Sequence, residues 1–106
     1  MRFIILTFLI VVLTLPSRSF AALDYGKQSL VGADFSGSDL KGATFYLTDL
    51  QDANLSGQFE NVKIQGADFT NVFLPKDIIR KFCESATGTN PITNRETRET
   101  LECDYI

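Results

Sequence analysis

The sequence predicts an all-β solenoid, a square coil of short strands closed at its C-terminal end by a short helical cap. Three observations predict it: a large apolar residue recurs every five positions, a Gly, Asn or Asp usually follows two positions later, and a cysteine pair lies beyond the repeats. A five-residue spacing fits neither the helix period of 3.6 nor the strand period of 2. The spacing therefore requires a corner after every unit.

The first 21 residues have the features of a cleaved export signal. Arg2 precedes an apolar run, Phe3–Leu15, and small residues stand at Ser19 and Ala21. The run ends at Pro16 and is shorter than the roughly 20 apolar residues that a membrane span needs. We therefore expect cleavage after Ala21 and not a retained anchor.

The charge and composition of the remaining chain exclude several classes of function. Removing Arg2 and Arg18 leaves 8 of the 10 basic residues against 13 acidic residues, a net charge of −5. That sign repels a phosphate backbone, so we expect no nucleic-acid partner. The sequence contains no histidine, which removes Ser-His-Asp and Cys-His catalysis and histidine-based metal sites. We expect no enzyme activity, catalytic residue, metal or cofactor.

The repeat occupies residues 28–76, and most units have the same order of residue types. A small residue usually stands two places before the large apolar centre, a polar residue mostly just before it, and Gly, Asn or Asp usually two places after it. Within a unit the small and large residues share one face, as in a short strand. Corners near 90° then close four units into a square coil, giving about two and a half stacked coils. The frame slips by one residue at Gly57, which predicts a tightened corner over residues 56–58. The predicted core ladder is Leu30, Phe35, Leu40, Phe45, Leu50, Leu55, Phe59, Ile64, Phe69 and Leu74.

The units ADFSG, SDLKG, ANLSG and ADFTN resemble pentapeptide repeats, whose pattern is A(D/N)LXX. The resemblance covers Gln28 to Lys76. It implies a right-handed quadrilateral β-helix in which the central residue and the small residue point inward.

Both ends of a solenoid expose unpaired strand edges and need covers. Only residues 22–27 are available as an N-terminal cap, so a homodimer through the N-terminal coil is one expected partnership. Residues 77–106 form the predicted C-terminal cap, with a helix after Pro75 whose apolar face is Ile78, Ile79 and Phe82.

Cys83 and Cys103 are the only cysteines of the chain. In a small exported domain such a pair predicts a structural disulfide that pins the cap. A redox-active pair is the alternative, although the CxxC spacing that lowers a thiol pKa is absent.

The tail resembles that of thylakoid lumenal pentapeptide-repeat proteins of cyanobacteria and chloroplasts, with the pattern C-x-x-A-T/N-G-x-N-P…T-R-x-S/T-L-x-C. The resemblance implies a lumenal or periplasmic address and no established activity, and the short signal fits a cyanobacterial origin. The matching positions are Cys83, Ala86, Thr87, Gly88, Asn90, Pro91, Thr97, Arg98, Thr100, Leu101 and Cys103.

These observations predict a non-enzymatic exported module that binds or supports another protein of the lumen or periplasm. Its candidate contact residues are Tyr46, Lys41, Arg95 and Arg98. The alternative function is a redox-responsive protein regulated through Cys83–Cys103. A third interpretation is a DNA mimic that inhibits topoisomerases, as some pentapeptide-repeat proteins are, but export, shortness and outward lysines oppose it. We interpret the stacked carboxylates of Asp49 and Asp68 as solvated surface groups and not as a cation site.

Overall fold

The computed structural model describes residues 23–106, and the expected export signal, residues 1–21, lies outside them. The described chain is a β-helix solenoid followed by helical elements. These are α1 (Lys76–Ser85), α2 (Thr97–Thr100) and a final 3-10 helix (Cys103–Tyr105).

Successive coils are joined by isolated parallel β-bridges between the residues that directly precede each centre, all of them polar except Phe73. Before Gly57 the paired residues are 20 apart (44 − 24), and across it they are 19 apart (58 − 39), as a one-residue slip requires. Within residues 23–106 no longer strand forms, because every strand is interrupted by a corner. The bridges are Asp24–Thr44, Ser29–Asp49, Asp34–Asn54, Asp39–Gln58, Thr44–Lys63, Asp49–Asp68 and Asn54–Phe73.

The corners owe their shape to one residue per unit that has positive φ. At all of these corners except the one at Asn61, the N–H of the next residue donates to the carbonyl of the preceding centre, as from Ala33 to Leu30 at 3.0 Å. Gly, Asn and Asp suit the position because they tolerate positive φ. Lys27 and Leu47 are the exceptions, with φ of 62° and 55°. The corner residues are Lys27, Gly32, Gly37, Gly42, Leu47, Asp52, Asn61, Gly66 and Asn71.

The preference for Asp or Asn just before the centre has a local cause. The side-chain oxygen accepts a hydrogen bond from the backbone N–H two residues later, for example from Ser36 to Asp34 at 2.9 Å and from Ser56 to Asn54 at 3.1 Å. This bond satisfies a donor at the start of the corner that no neighbouring coil reaches.

The central residues of the solenoid form the core, but they are not all buried to the same extent. Leu40, Phe45, Leu50, Leu55, Ile64, Phe69 and Leu74 are buried, whereas Leu30, Phe35 and Phe59 are partly buried and pack against them.

The segment expected to act as an N-terminal cap has the conformation of a further repeat unit. Asp24 bridges Thr44, Lys27 occupies a corner with positive φ, and Tyr25 takes the central position. The Tyr25 ring stacks on Phe45 with 5.4 Å between centroids. Residues 23–27 therefore belong to the solenoid and do not form a separate cover.

The one-residue slip falls at a corner of irregular shape. The N–H of Gln58 donates to the carbonyl of Ser38 in the coil above, 2.9 Å away, instead of closing a turn on Leu55. A side chain at Gly57 would collide with the Ser38 carbonyl oxygen. The close approach of two backbones therefore requires glycine at this position.

Helix α1 covers the C-terminal end of the solenoid core. Phe82 is buried and its ring lies 5.5 Å from Phe59, edge to face, and 5.6 Å from Phe69. Ile78 and Ile79 also pack against the core, as their spacing predicts.

Candidate functional site

Asn90 joins the tail to the coils through a fully buried side-chain amide. Its Nδ2 donates to the carbonyl oxygens of Thr48 at 3.1 Å and Gly66 at 3.0 Å. Its Oδ1 accepts from the backbone N–H groups of Ile92 and Thr93. From sequence, Asn90 and the proline after it indicate only a turn. The partners that give Asn90 its role lie 42 and 24 residues away along the chain.

Other tail residues pair with the free edge of the last coil. The carbonyl of Thr87 accepts from the N–H of Gly66 at 2.9 Å, and Thr100 Oγ1 accepts from the N–H of Phe69 at 3.0 Å. A short antiparallel bridge between Thr89 and Glu96 closes the loop on itself. The tail thus gives exposed edge groups the partners that another coil would have supplied.

Arg95 ties the tail to the stacked carboxylates of one solenoid face. Its Nε donates to Asp68 Oδ2 at 3.1 Å, and its terminal Nη2 donates to Gln51 Oε1 at 2.8 Å. The Gln51 amide in turn donates to both carboxylate oxygens of Asp49, at 3.0 and 3.1 Å. Asp49 and Asp68 are both buried, so our interpretation of them as solvated groups is wrong. They form an internal polar network.

The pKa of the Asp68 carboxyl is lowered below its ordinary value of 3.8. Burial alone would raise this pKa, but hydrogen bonds from Thr70 and Thr93 and the charge of Arg95 together outweigh it. With the tail seated, Asp68 therefore stays ionised to a lower pH than an ordinary aspartate, because its pKa is lowered.

The two arginines expected to contact a partner are engaged within the fold. Arg95 binds Asp68 and Gln51 as described. Arg98 Nη1 donates to the carbonyl of Cys83 at 3.1 Å, and its Nη2 lies 3.6 Å from an Asp104 carboxylate oxygen. Both side chains keep a solvent-facing part, but their polar groups serve the cap.

Tyr46 and Lys41, the other expected contact residues, point to solvent on two different sides of the coil. Tyr46 follows Thr44 on the face that carries the Asp24–Thr44–Lys63 ladder, whereas Lys41 follows the Asp39–Gln58 pair. Residues around the Tyr46 ring outline a shallow depression, because the equivalent position one coil earlier is Gly26. Its lining is Asp24, Gly26, Lys27, Thr44, Tyr46 and Lys63.

Cys83 and Cys103 form a disulfide with 5.7 Å between their Cα atoms. It joins the last turn of α1 to the 3-10 helix and encloses the whole loop that carries Asn90 and Arg95. Cys103 is buried and Cys83 is only partly exposed. The predicted pairing is confirmed.

Residues 23–106 offer no candidate metal centre. That segment contains no group of three His, Cys, Asp or Glu side chains placed to hold a metal ion. The stacked pair Asp49 and Asp68 already has Gln51 and Arg95 as partners. Among the described residues, no helix combines the length and apolar character needed to cross a membrane.

Comparison with known proteins agrees with the fold and with the sequence resemblance. A family model described as pentapeptide repeats matches residues 27–57 in eight copies. Over 43 residues the chain is 46% identical to thylakoid lumenal protein TL20.3, chloroplastic, of Arabidopsis thaliana, covering 39% of this chain and 15% of that protein. The crystal structure of a pentapeptide repeat protein from the Arabidopsis thaliana thylakoid lumen matches with a TM-score of 0.73 and 35% identity. That match covers 76% of this chain and 57% of the other. The chain thus spans only part of each relative.

Proposed function

Since residues 27–57 are pentapeptide repeats and the fold matches that of a thylakoid lumen protein, we propose that the chain is a non-enzymatic, exported protein-binding module. Its compartment is the thylakoid lumen or the periplasm of a cyanobacterial cell, reached after cleavage behind Ala21. The relatives from the thylakoid lumen and the signal-like first 21 residues support this location.

The observation that carries this proposal is the face around Tyr46. The tyrosine side chain is partly exposed, its neighbour one coil earlier is Gly26, and Lys27 and Lys63 border the same depression. Aromatic rings that stand exposed in a rigid, polar surface are the residue type enriched in protein interfaces. The backbone at Tyr46 is held by the hydrogen bond that its carbonyl accepts from the N–H of Lys27, so little backbone entropy is lost on binding.

Affinity capture with matched variants tests the proposal. The tagged protein is expressed in a cyanobacterial host and recovered with its bound proteins from lumen, periplasm and membranes. We expect Tyr46→Ser to lose at least about tenfold of the captured partner, as loss of an interface anchor implies. Phe73→Ser is the matched control, because Phe73 is an exposed aromatic side chain on a different ladder, beside Asn54. Equal loss in both variants, or no partner above background, contradicts the proposed contact face.

A second candidate function is redox response through Cys83–Cys103, which the position of the disulfide favours. The bond holds the ends of the loop that contains Asn90 and Arg95, so its reduction would release the loop's covalent restraint. A dithiol protein would supply the two electrons and two protons, becoming a disulfide while Cys83 and Cys103 become thiols. Titration against glutathione or dithiothreitol buffers measures the reduction potential. A potential below about −300 mV assigns the bond a purely structural role.

A further inference from the structure

The N-terminal coil, residues 23–42, ends in an edge that no residue of the segment 23–106 covers. Three of its four central residues, Tyr25, Leu30 and Phe35, remain partly exposed, although the residues directly beneath Tyr25 and Leu30, which are Phe45 and Leu50, are almost fully buried. The fourth central residue, Leu40, is buried. Within the described residues, the core therefore lacks a complete cover over three sides of this coil.

The same edge presents backbone groups in a regular pattern. In the second coil, the N–H of Asp49 donates to Gln28 of the coil above, and the carbonyl of Gln51 accepts from Gly32. The equivalent N–H groups of Ser29 and Asp34, and the equivalent carbonyl of Val31, have no described coil above them. Unpaired groups of this kind are a template for another strand edge.

We propose that this edge pairs with the same edge of a second copy, forming a two-fold symmetric dimer. The inference rests on the proposed removal of residues 1–21, because these residues come just before the edge in the sequence. A two-fold axis across the edge makes facing strands antiparallel, so N–H groups of one copy meet carbonyl groups of the other.

The rise of the coil selects one arrangement of the two copies. Each of the four sides lies about 1.2 Å below the one before it, a quarter of the 4.8 Å strand spacing. The sides are Leu23–Lys27, Gln28–Gly32, Ala33–Gly37 and Ser38–Gly42. Pairing the first side with the fourth, and the second with the third, keeps the gap between copies constant all round. Any other two-fold axis in the plane of the coil, whether it passes through corners or through side midpoints of the square, leaves some facing sides too far apart and others too close.

Charges match in that arrangement. Antiparallel pairing of the first and fourth sides sets Asp24 opposite Lys41 of the second copy, and symmetry repeats the pair. Lys41 is exposed and forms no salt bridge among residues 23–106, and only one carboxylate oxygen of Asp24 is used by Gly26. The centres then stack as Tyr25 on Leu40 and Leu30 on Phe35 across the dimer.

The contact is small. A side of five residues is at most about 16 Å long, so the backbone square covers roughly 250 Å² per copy before side chains are added. Standard interfaces bury about 800 Å² per partner. We therefore expect a dimer that forms at high micromolar concentration and dissociates on dilution.

Sedimentation equilibrium of the chain from Ala22 to Ile106 over a concentration series tests the proposal. This segment contains the whole described core and the disulfide. We expect Asp24→Lys to weaken dimerisation at least about tenfold, because it sets two like-charge pairs across the axis. Adding Lys41→Asp to that variant restores opposite charges and should recover the original dissociation constant to within about threefold.

Asp34→Lys is the matched control. It changes the same charge on the same edge and removes the same kind of corner hydrogen bond, but it faces Val31 of the second copy. A strict monomer at millimolar concentration, equal weakening by Asp34→Lys, or no recovery in the double variant overturns the proposal. Thermal unfolding of each variant separates lost folding from lost pairing. Mass determination of the protein from its host reports separately on removal of residues 1–21, and hence on export.

Discussion

Asn90 shows how much of the cap depends on one side chain. Its amide makes four hydrogen bonds in a site without solvent, two to the coils and two to its own loop. No smaller or apolar side chain can replace both sets. Asn90 therefore connects the coils and the folded tail loop through one side chain.

We predict that Asn90→Ala lowers the free energy of unfolding by roughly 2–4 kcal/mol, because buried donors and acceptors lose their partners. Urea denaturation monitored by far-UV circular dichroism measures the change. Asn94→Gly is the control, since Asn94 is exposed and has positive φ, which glycine adopts without strain. A change below about 0.5 kcal/mol at Asn90, the usual range for surface sites, would mean that the amide contributes nothing to holding the cap.

Asp68 makes the stability of the cap depend on pH. Its pKa is lower in the folded chain than the ordinary 3.8 expected when unfolded. Its contribution to stability is therefore complete above the ordinary pKa and is lost as pH falls through the folded pKa. We predict that the free energy of unfolding falls less steeply below pH 4 in Asp68→Asn than in the unaltered protein.

Denaturation curves at a series of pH values, with Asp52→Asn as a control that removes an exposed carboxylate, measure this dependence. If the free energy of unfolding changes with pH in the same way in Asp68→Asn and in the unaltered protein, the ion pair of Asp68 with Arg95 does not cause the acid sensitivity.

At the scale of single elements, the repeat unit is a short strand and a corner, and both are encoded locally. The five-residue spacing and the corner at Gly, Asn or Asp depend on residues within one unit, and both are predicted from the sequence. The hydrogen bond to Asp or Asn is equally local, but it is not predicted from the sequence pattern. The unit around Tyr25 escaped prediction because Leu23 stands where a small residue is usual and Lys27 where Gly is usual. Its place is determined by stacking on Phe45, 20 residues away.

The slipped corner gives a test at the same scale. We predict that Gly57→Ala destabilises the fold by about 1–3 kcal/mol, because a methyl group meets the backbone of Ser38. Gly32→Asn is the control: the space around Gly32 is open, and Asn tolerates its positive φ. Thermal unfolding measures both. If Gly57→Ala costs no more than Gly32→Asn, the two backbones are not held in close contact.

At the scale of the whole molecule, the cap was predictable in outline and not in detail. The spacing of Ile78, Ile79 and Phe82 and the cysteine pair indicate a covered end. The polar contacts that seat the cover join residues far apart, such as Arg95 and Gln51, 44 positions away. Sequence periodicity cannot predict such pairs. Gln51 belongs to the repeat and Arg95 lies outside it, so no regular spacing relates the two residues.

The closed C-terminal end has a further consequence for assembly. A solenoid with two open ends could stack copy upon copy into a filament, since every added molecule would present a new edge. Here Thr87, Asn90 and Thr100 occupy one edge with side chains and loop backbone. Growth by edge pairing can therefore add one molecule and then stops. The tail therefore prevents polymerisation along the solenoid axis as long as it stays bound to the last coil.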